Sequence, residues 1–190
     1  MATDFIYLLS SFPLLKLSGE GATTYQAFLD SCAAALSPKE HALLEGLTLQ
    51  GAPGTIRPEP PELAQWDRWM ECMTQIAAIW RAARRHQETP ADWRPAREIA
   101  PGDVRRLEEA LSLKTLWEKQ EAWEALQWSH LEELALSAGY SFGAVVIHAL
   151  KLRLLEGRLR RSQEEGTRVF EETVSRRLEE ATRWRQTVEE

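Results

Sequence analysis

Cysteine is scarce in this chain, and long apolar runs are missing. Only Cys32 and Cys72 occur among 190 residues, each at an apolar helical position and without metal-type spacing. That excludes a disulfide framework and a cysteine-based zinc module. Buried free thiols in a reducing cytosol are the default reading, and a disulfide between the two is the alternative. After the N-terminal segment the longest apolar run is Gly143–Ile147, far too short to cross a bilayer. The N-terminus lacks a basic region, and Pro13 interrupts the apolar run Phe5–Leu15, so no secretory signal is read there. These features predict a cytoplasmic protein whose membrane contact runs through a partner.

An unbalanced charge is also lacking. The formal net charge is −6, and the basic residues that collect toward the C-terminus, ten within 141–190, meet nine acids there. Nucleic acid requires an unmatched basic face, so no nucleic-acid partner is expected. What the chain does have is apolar material and tryptophan. With 44% hydrophobic and 27% charged residues it can build a core and is not a disordered chain. Its eight tryptophans suit helix contacts and protein interfaces.

The patterning is helical. Residues 4–12 are apolar with an ambiguous period, so a short helix and a strand both fit. Thr24 can cap a helix with the stripe Tyr25, Phe28, Leu29, Cys32 and Leu36. Ser37-Pro38-Lys39-Glu40 is a capping box with proline at the first helical position, and that helix should stop near Gly46. A helix over about 62–86 carries Leu63, Trp66, Trp69, Met70, Met73, Ile76, Ala77 and Trp80 on one face. This face reads as core; a ligand groove is the alternative. Asp103 caps a further pattern that runs to Ala138, about 50 Å if unbroken, with a break near Ser112 as the other option. Gly139 is its stop. From Ser141 onward Val145, Val146, Ile147, Ala149, Leu150, Leu152, Leu154 and Leu155 point in nearly every direction, which marks a buried helix.

The expected architecture is therefore all-α. It is a single helical domain over 1–190, a bundle of roughly five to six helices with one long amphipathic helix and a buried central one. Flexible Pro-rich loops are expected at about 48–61 and 87–102, and a protruding C-terminal helix at 162–190.

No catalytic signature stands out. His41, His86, His130 and His148 include no i,i+4 pair and no HExxH motif. His130 and His148 lie on or beside apolar stripes and read as structural, with a proton site as the alternative. No phosphate loop, GxGxxG or GxSxG occurs, and the Glu–Glu pairs diverge by about 100° on their helices. No catalytic residue, cofactor, metal or small-molecule substrate is assigned. A basic surface of Lys151, Arg153, Arg158, Arg160 and Arg161 reads either as a solvated face or as an electrostatic docking strip for an acidic protein partner.

Several segments, in order, resemble a bacterial family of unknown function encoded within operons for V-type (A-type-like) ATPases. They are Trp128-x-x-Leu131-Glu132-Glu133-Leu134, the Tyr140-Ser141-Phe142 corner, Ala149-Leu150-Lys151-Leu152-x-Leu154-Leu155-Glu156, and Glu165-Gly166 before Val169-Phe170. Weaker echoes are Tyr7-Leu8-Leu9-Ser10-Ser11-Phe12-Pro13, Tyr25-x-x-Phe28-Leu29 with Cys32, and Trp66-x-x-Trp69 leading to Trp80-Arg81-Ala82-Ala83-Arg84. The family typically has an acidic residue after the corner aromatic, where this chain has Gly143. The resemblance implies a non-catalytic accessory subunit of a V-type proton or sodium ATPase, peripheral to the inner membrane through that complex. A further, weaker likeness is to a shortened C-type central-stalk subunit. A free helical adaptor or assembly chaperone for an unrelated client is the competing expectation. An enzyme would need a polar cavity joining His130, His148 and a glutamate.

Overall fold

The computed structural model describes residues 4–19, 22–51, 56–85 and 99–161, and these are helical with no strand. Seven helices follow in order: α1 (Asp4–Ser11), α2 (Tyr25–Cys32), α3 (Pro38–Glu45), α4 (Pro61–Arg84), α5 (Pro101–Ser112), α6 (Leu116–Ala138) and α7 (Phe142–Arg160). The ambiguous N-terminal segment is thus a helix. The expected 162–190 helix lies outside the described residues, as do 52–55 and 87–98 of the expected loops. The chain divides into two units, Met1–Leu155 and Glu156–Glu190.

Local chemistry sets most helix ends. The Thr24 hydroxyl accepts from the Ala27 amide at 3.2 Å and starts α2. Ser37 and Glu40 form the expected capping box of α3, and α3 stops at Gly46. Pro61 opens α4, where its missing N–H is of no consequence. The pattern from 103 to 138 is broken at 113–115. Thr115 and Glu118 form a second capping box that restarts the chain as α6, so the long helix is two shorter ones. Asp103 does not cap: α5 begins at Pro101, and Asp103 sits in its first turn. Gly139, at φ 58°, occupies the left-handed region that lets α6 end and the chain turn into α7.

The core surrounds α7. Val145, Val146, Ile147, Ala149, Leu150, Leu152, Leu154 and Leu155 are all 2% exposed or less, so this helix is enclosed on every side as its sequence requires. Trp66, Met73, Phe28, Leu44 and Leu131 from the other helices are equally buried. The stripe of α4 is core, as read. Trp80 at its end is only half-buried. Cys32 is fully buried, and desolvation raises its thiol pKa to about 11. Cys72 is half-buried, and both thiols are free.

Polar anchors fix the loops on this core. The Tyr25 hydroxyl donates to the Leu44 carbonyl at 2.7 Å, and the Trp66 indole donates to the Leu49 carbonyl at 2.8 Å. Asp67, 6% exposed on α4, accepts from the Arg57 amide at 2.8 Å and from its Nε at 2.9 Å, while Arg57 Nη2 reaches its other oxygen. This fork ties residues 56–60 to α4. The Glu62 carboxylate lies against the first turn of α7, where a Cβ at Gly143 would collide with it. Both helix starts favour a negative group there.

Because Asp67 is buried and engages Arg57 at both oxygens, Asp67→Asn should lower the unfolding free energy by about 2–3 kcal/mol. Urea denaturation of the two proteins, compared at their midpoints, checks this. An unchanged midpoint would show that the fork is not a stability determinant.

Candidate partner-binding surface

The five cations of the expected docking strip are not equivalent. Lys151 is drawn into the fold: its Nζ pairs with Glu132, lies 5.2 Å from the Trp128 ring centroid, and leaves the side chain 12% exposed. Arg153 stacks on Tyr25, its Cζ 3.5 Å from the ring centroid, and donates to the Leu47 carbonyl at 3.1 Å. These two cations therefore hold α7 to its neighbours. Arg158, Arg160 and Arg161 belong to the second unit, where Arg160 and Arg161 are exposed and Arg161 donates back to the Gly157 carbonyl at 2.8 Å. The structure brings Lys151 and Arg153 onto one helical stretch but assigns both to internal contacts.

The two central histidines occupy separate aromatic settings. His130 stacks on Trp69 with centroids 4.4 Å apart and planes 9° from parallel, and Trp69 in turn stacks on Trp123 and Trp66. The Trp69 indole donates to Asp103 Oδ2 at 3.0 Å, which gives Asp103 a structural task in place of a cap. Among the described residues neither ring nitrogen of His130 has a hydrogen-bond partner, and Nδ1 lies 3.8 Å from the Glu133 carboxylate. Burial pushes its pKa down to about 4, against the opposing pull of Asp103. His148 stacks on Phe12 at 4.7 Å and on Phe28 at 5.5 Å. Burial, reinforced by the charge of Lys151, also lowers its pKa to about 4. Both imidazoles are neutral aromatic packing units at pH 7. No group of three or more potential metal ligands occurs among the described residues.

Two surface features lie on α4, α5 and α6. The first is the α5–α6 corner, where Leu113 is 38% exposed, Leu116 82% and Trp117 41%. Three large apolar residues within five positions form a local patch, and the Thr115–Glu118 capping box fixes its backbone. The second is a groove of about 500 Å³ between the three helices. Trp80, Leu107, Leu111 and Trp123 line its apolar part, and Arg81, Arg85 and Lys119 its charged part. Sequence periodicity supplied the core stripe but could not supply this groove, because its walls come from three helices whose approach depends on the break at 113–115.

Among the described residues no helix is long and apolar enough to cross a membrane. The chain matches no protein-family model, no curated protein and no solved structure.

The histidines give the fold a defined acid sensitivity. Their pKa is lower folded (about 4) than unfolded (about 6.5), so the unfolded chain binds protons more readily. Stability is fully present above pH 6.5 and is lost as pH falls toward 4. Between pH 6.5 and 5, each histidine should remove about 2 kcal/mol. Chemical denaturation at pH 7 and pH 5 should show this loss in the native chain and a visibly smaller one in His130→Phe. Equal pH slopes would mean that His130 is not held neutral.

Proposed function

We propose that this chain is a non-catalytic accessory or central-stalk-like subunit of a V-type proton or sodium ATPase, acting through helix-mediated protein contacts. The observation that carries the contact surface is the α5–α6 corner, where Leu113, Leu116 and Trp117 stand exposed on a capped, fixed turn. Tryptophan is enriched among the residues that carry interface binding energy, and a preset backbone lowers the ordering cost of binding. The ATPase as partner rests on the ordered resemblance along the chain. ATP chemistry then belongs to other subunits, and this chain reaches the cytoplasmic face of the inner membrane through the complex. Lys151 and Arg153 support this role indirectly, by fixing α7. Arg160 and Arg161 are exposed cations that an acidic partner could contact.

Affinity isolation of the tagged chain from native membranes, under conditions that keep the ATPase intact, should recover rotary ATPase subunits. Leu116→Glu with Trp117→Ala should cut that recovery about tenfold or more while far-UV circular dichroism stays unchanged. Recovery of an unrelated client alone would favour the adaptor or chaperone reading. Recovery of no ATPase subunit would remove the proposal.

A further inference from the structure

The groove between α4, α5 and α6 has the character of a small-molecule site and does not rest on the ATPase reading, although Leu116 lines both the groove and the α5–α6 corner. Its volume of about 500 Å³ falls within the range of roughly 300–1,000 Å³ typical of such sites. Its lining is largely apolar, with Ala77, Leu107, Ala110 and Leu111 beside the rings of Trp80 and Trp123. Among the described residues, every ionisable group in that lining is cationic, whereas the chain as a whole carries a net charge of −6.

The placement of those cations is informative. Arg81 lies in the last turn of α4, Arg85 is the residue that caps its C-terminal end, and Lys119 lies on α6. None of the three has an ion-pair partner among the described residues. Three other cations are paired: Arg57 with Asp67, Lys151 with Glu132 and Arg105 with Glu109. A larger concavity of about 830 Å³ beside α3 makes the contrast clear. Its lining is of mixed sign, with Lys39 and Arg57 beside Glu40 and Glu59, and Arg57 is held by Asp67.

The groove walls are also partly preset. The Arg84 guanidinium sits 4.0 Å from the Trp80 ring centroid and braces that ring. Gln120 donates to Glu124 at 2.9 Å, and the Thr74 hydroxyl donates to the Met70 carbonyl at 2.7 Å. Gln120 and Thr74 are thereby engaged, and the three cations, with the exposed Gln50 side chain, are the recognition groups that remain. The first turn of α6 is closed by its own capping box, so an anion here is met by side-chain charge and not by that helix start.

We infer that this groove binds a small amphipathic monocarboxylate, its apolar chain or ring against Trp80 and Trp123 and its carboxylate among Arg81, Arg85 and Lys119. A head group between the two cationic walls gains charge-assisted hydrogen bonds while the tail leaves water.

Decanoate is a suitable probe, with decanol as its uncharged counterpart. Titration of the purified full chain, followed by tryptophan fluorescence and calorimetry, should give saturable decanoate binding with Kd on the order of 10–100 µM. Decanol should bind at least tenfold more weakly, and 0.5 M salt should weaken decanoate severalfold. Arg81→Glu with Lys119→Glu should abolish saturation while far-UV circular dichroism is retained. If that pair fails to fold, Arg81→Gln with Lys119→Gln should still weaken binding about tenfold. Absence of saturable binding, equal binding of decanol, or full binding by a folded charge variant overturns the assignment. So does saturable binding of an acidic amphipathic peptide without any of decanoate, which would assign the groove to a helix.

Discussion

One helix dictates the arrangement of the rest. From Gly143 to Leu155, α7 carries apolar side chains on nearly all sides, and water cannot be left against any of them without a cost of about 25 cal/mol per Å². A helix of that kind must be enclosed. The cations that interrupt it serve the same end. Lys151 and Arg153 lay their aliphatic stems along the core and finish on an aromatic ring plus an acceptor: Trp128 with Glu132, and Tyr25 with the Leu47 carbonyl. Positively charged positions on a central helix thus become seals between it and its neighbours.

That use of charge shows where sequence reasoning reaches its limit. The helices themselves were legible, because caps and stripes are local: Thr24, the Ser37–Glu40 box, the 3.6-residue stripe of α4 and the Gly139 stop each signal within a few residues. The destination of a polar side chain is not local. Lys151 and Arg153 look like a solvated basic strip until Glu132, 19 residues away, and Leu47, 106 residues away, are known to meet them. Asp103 looks like a cap until the Trp69 indole, 34 residues earlier, claims its carboxylate. Gly143 carries no local sign of the Glu62 carboxylate, which arrives from α4 and lies against that turn.

The tryptophans illustrate the same division. Periodicity placed Trp66 and Trp69 in the core, and they are 0% and 6% exposed. It grouped Trp80 with them, but Trp80 is the last ring of the stripe, where α4 outruns the core and its outer part faces the groove. Trp117, beside the break at 113–115, is 41% exposed. A helical stripe predicts burial only as far as another helix lies against it. The ends of that overlap are set by the chain breaks, and those breaks decide which large rings remain available for binding.

The two proposed surfaces are not independent, because Leu116 belongs to both. It is 82% exposed at the corner and also lines the groove. A partner that covers Leu116 changes the groove wall, and a ligand in the groove changes what the partner meets. If the complexes differ in free energy with and without the second guest, each must alter the affinity of the other by the same factor. The coupling need not involve the core: α6 is anchored by its capping box, and only the Leu116 side chain has to choose between two environments. A protein contact and a small-molecule site on this fold would therefore be linked through one side chain, at the break that the capping box of Thr115 and Glu118 creates.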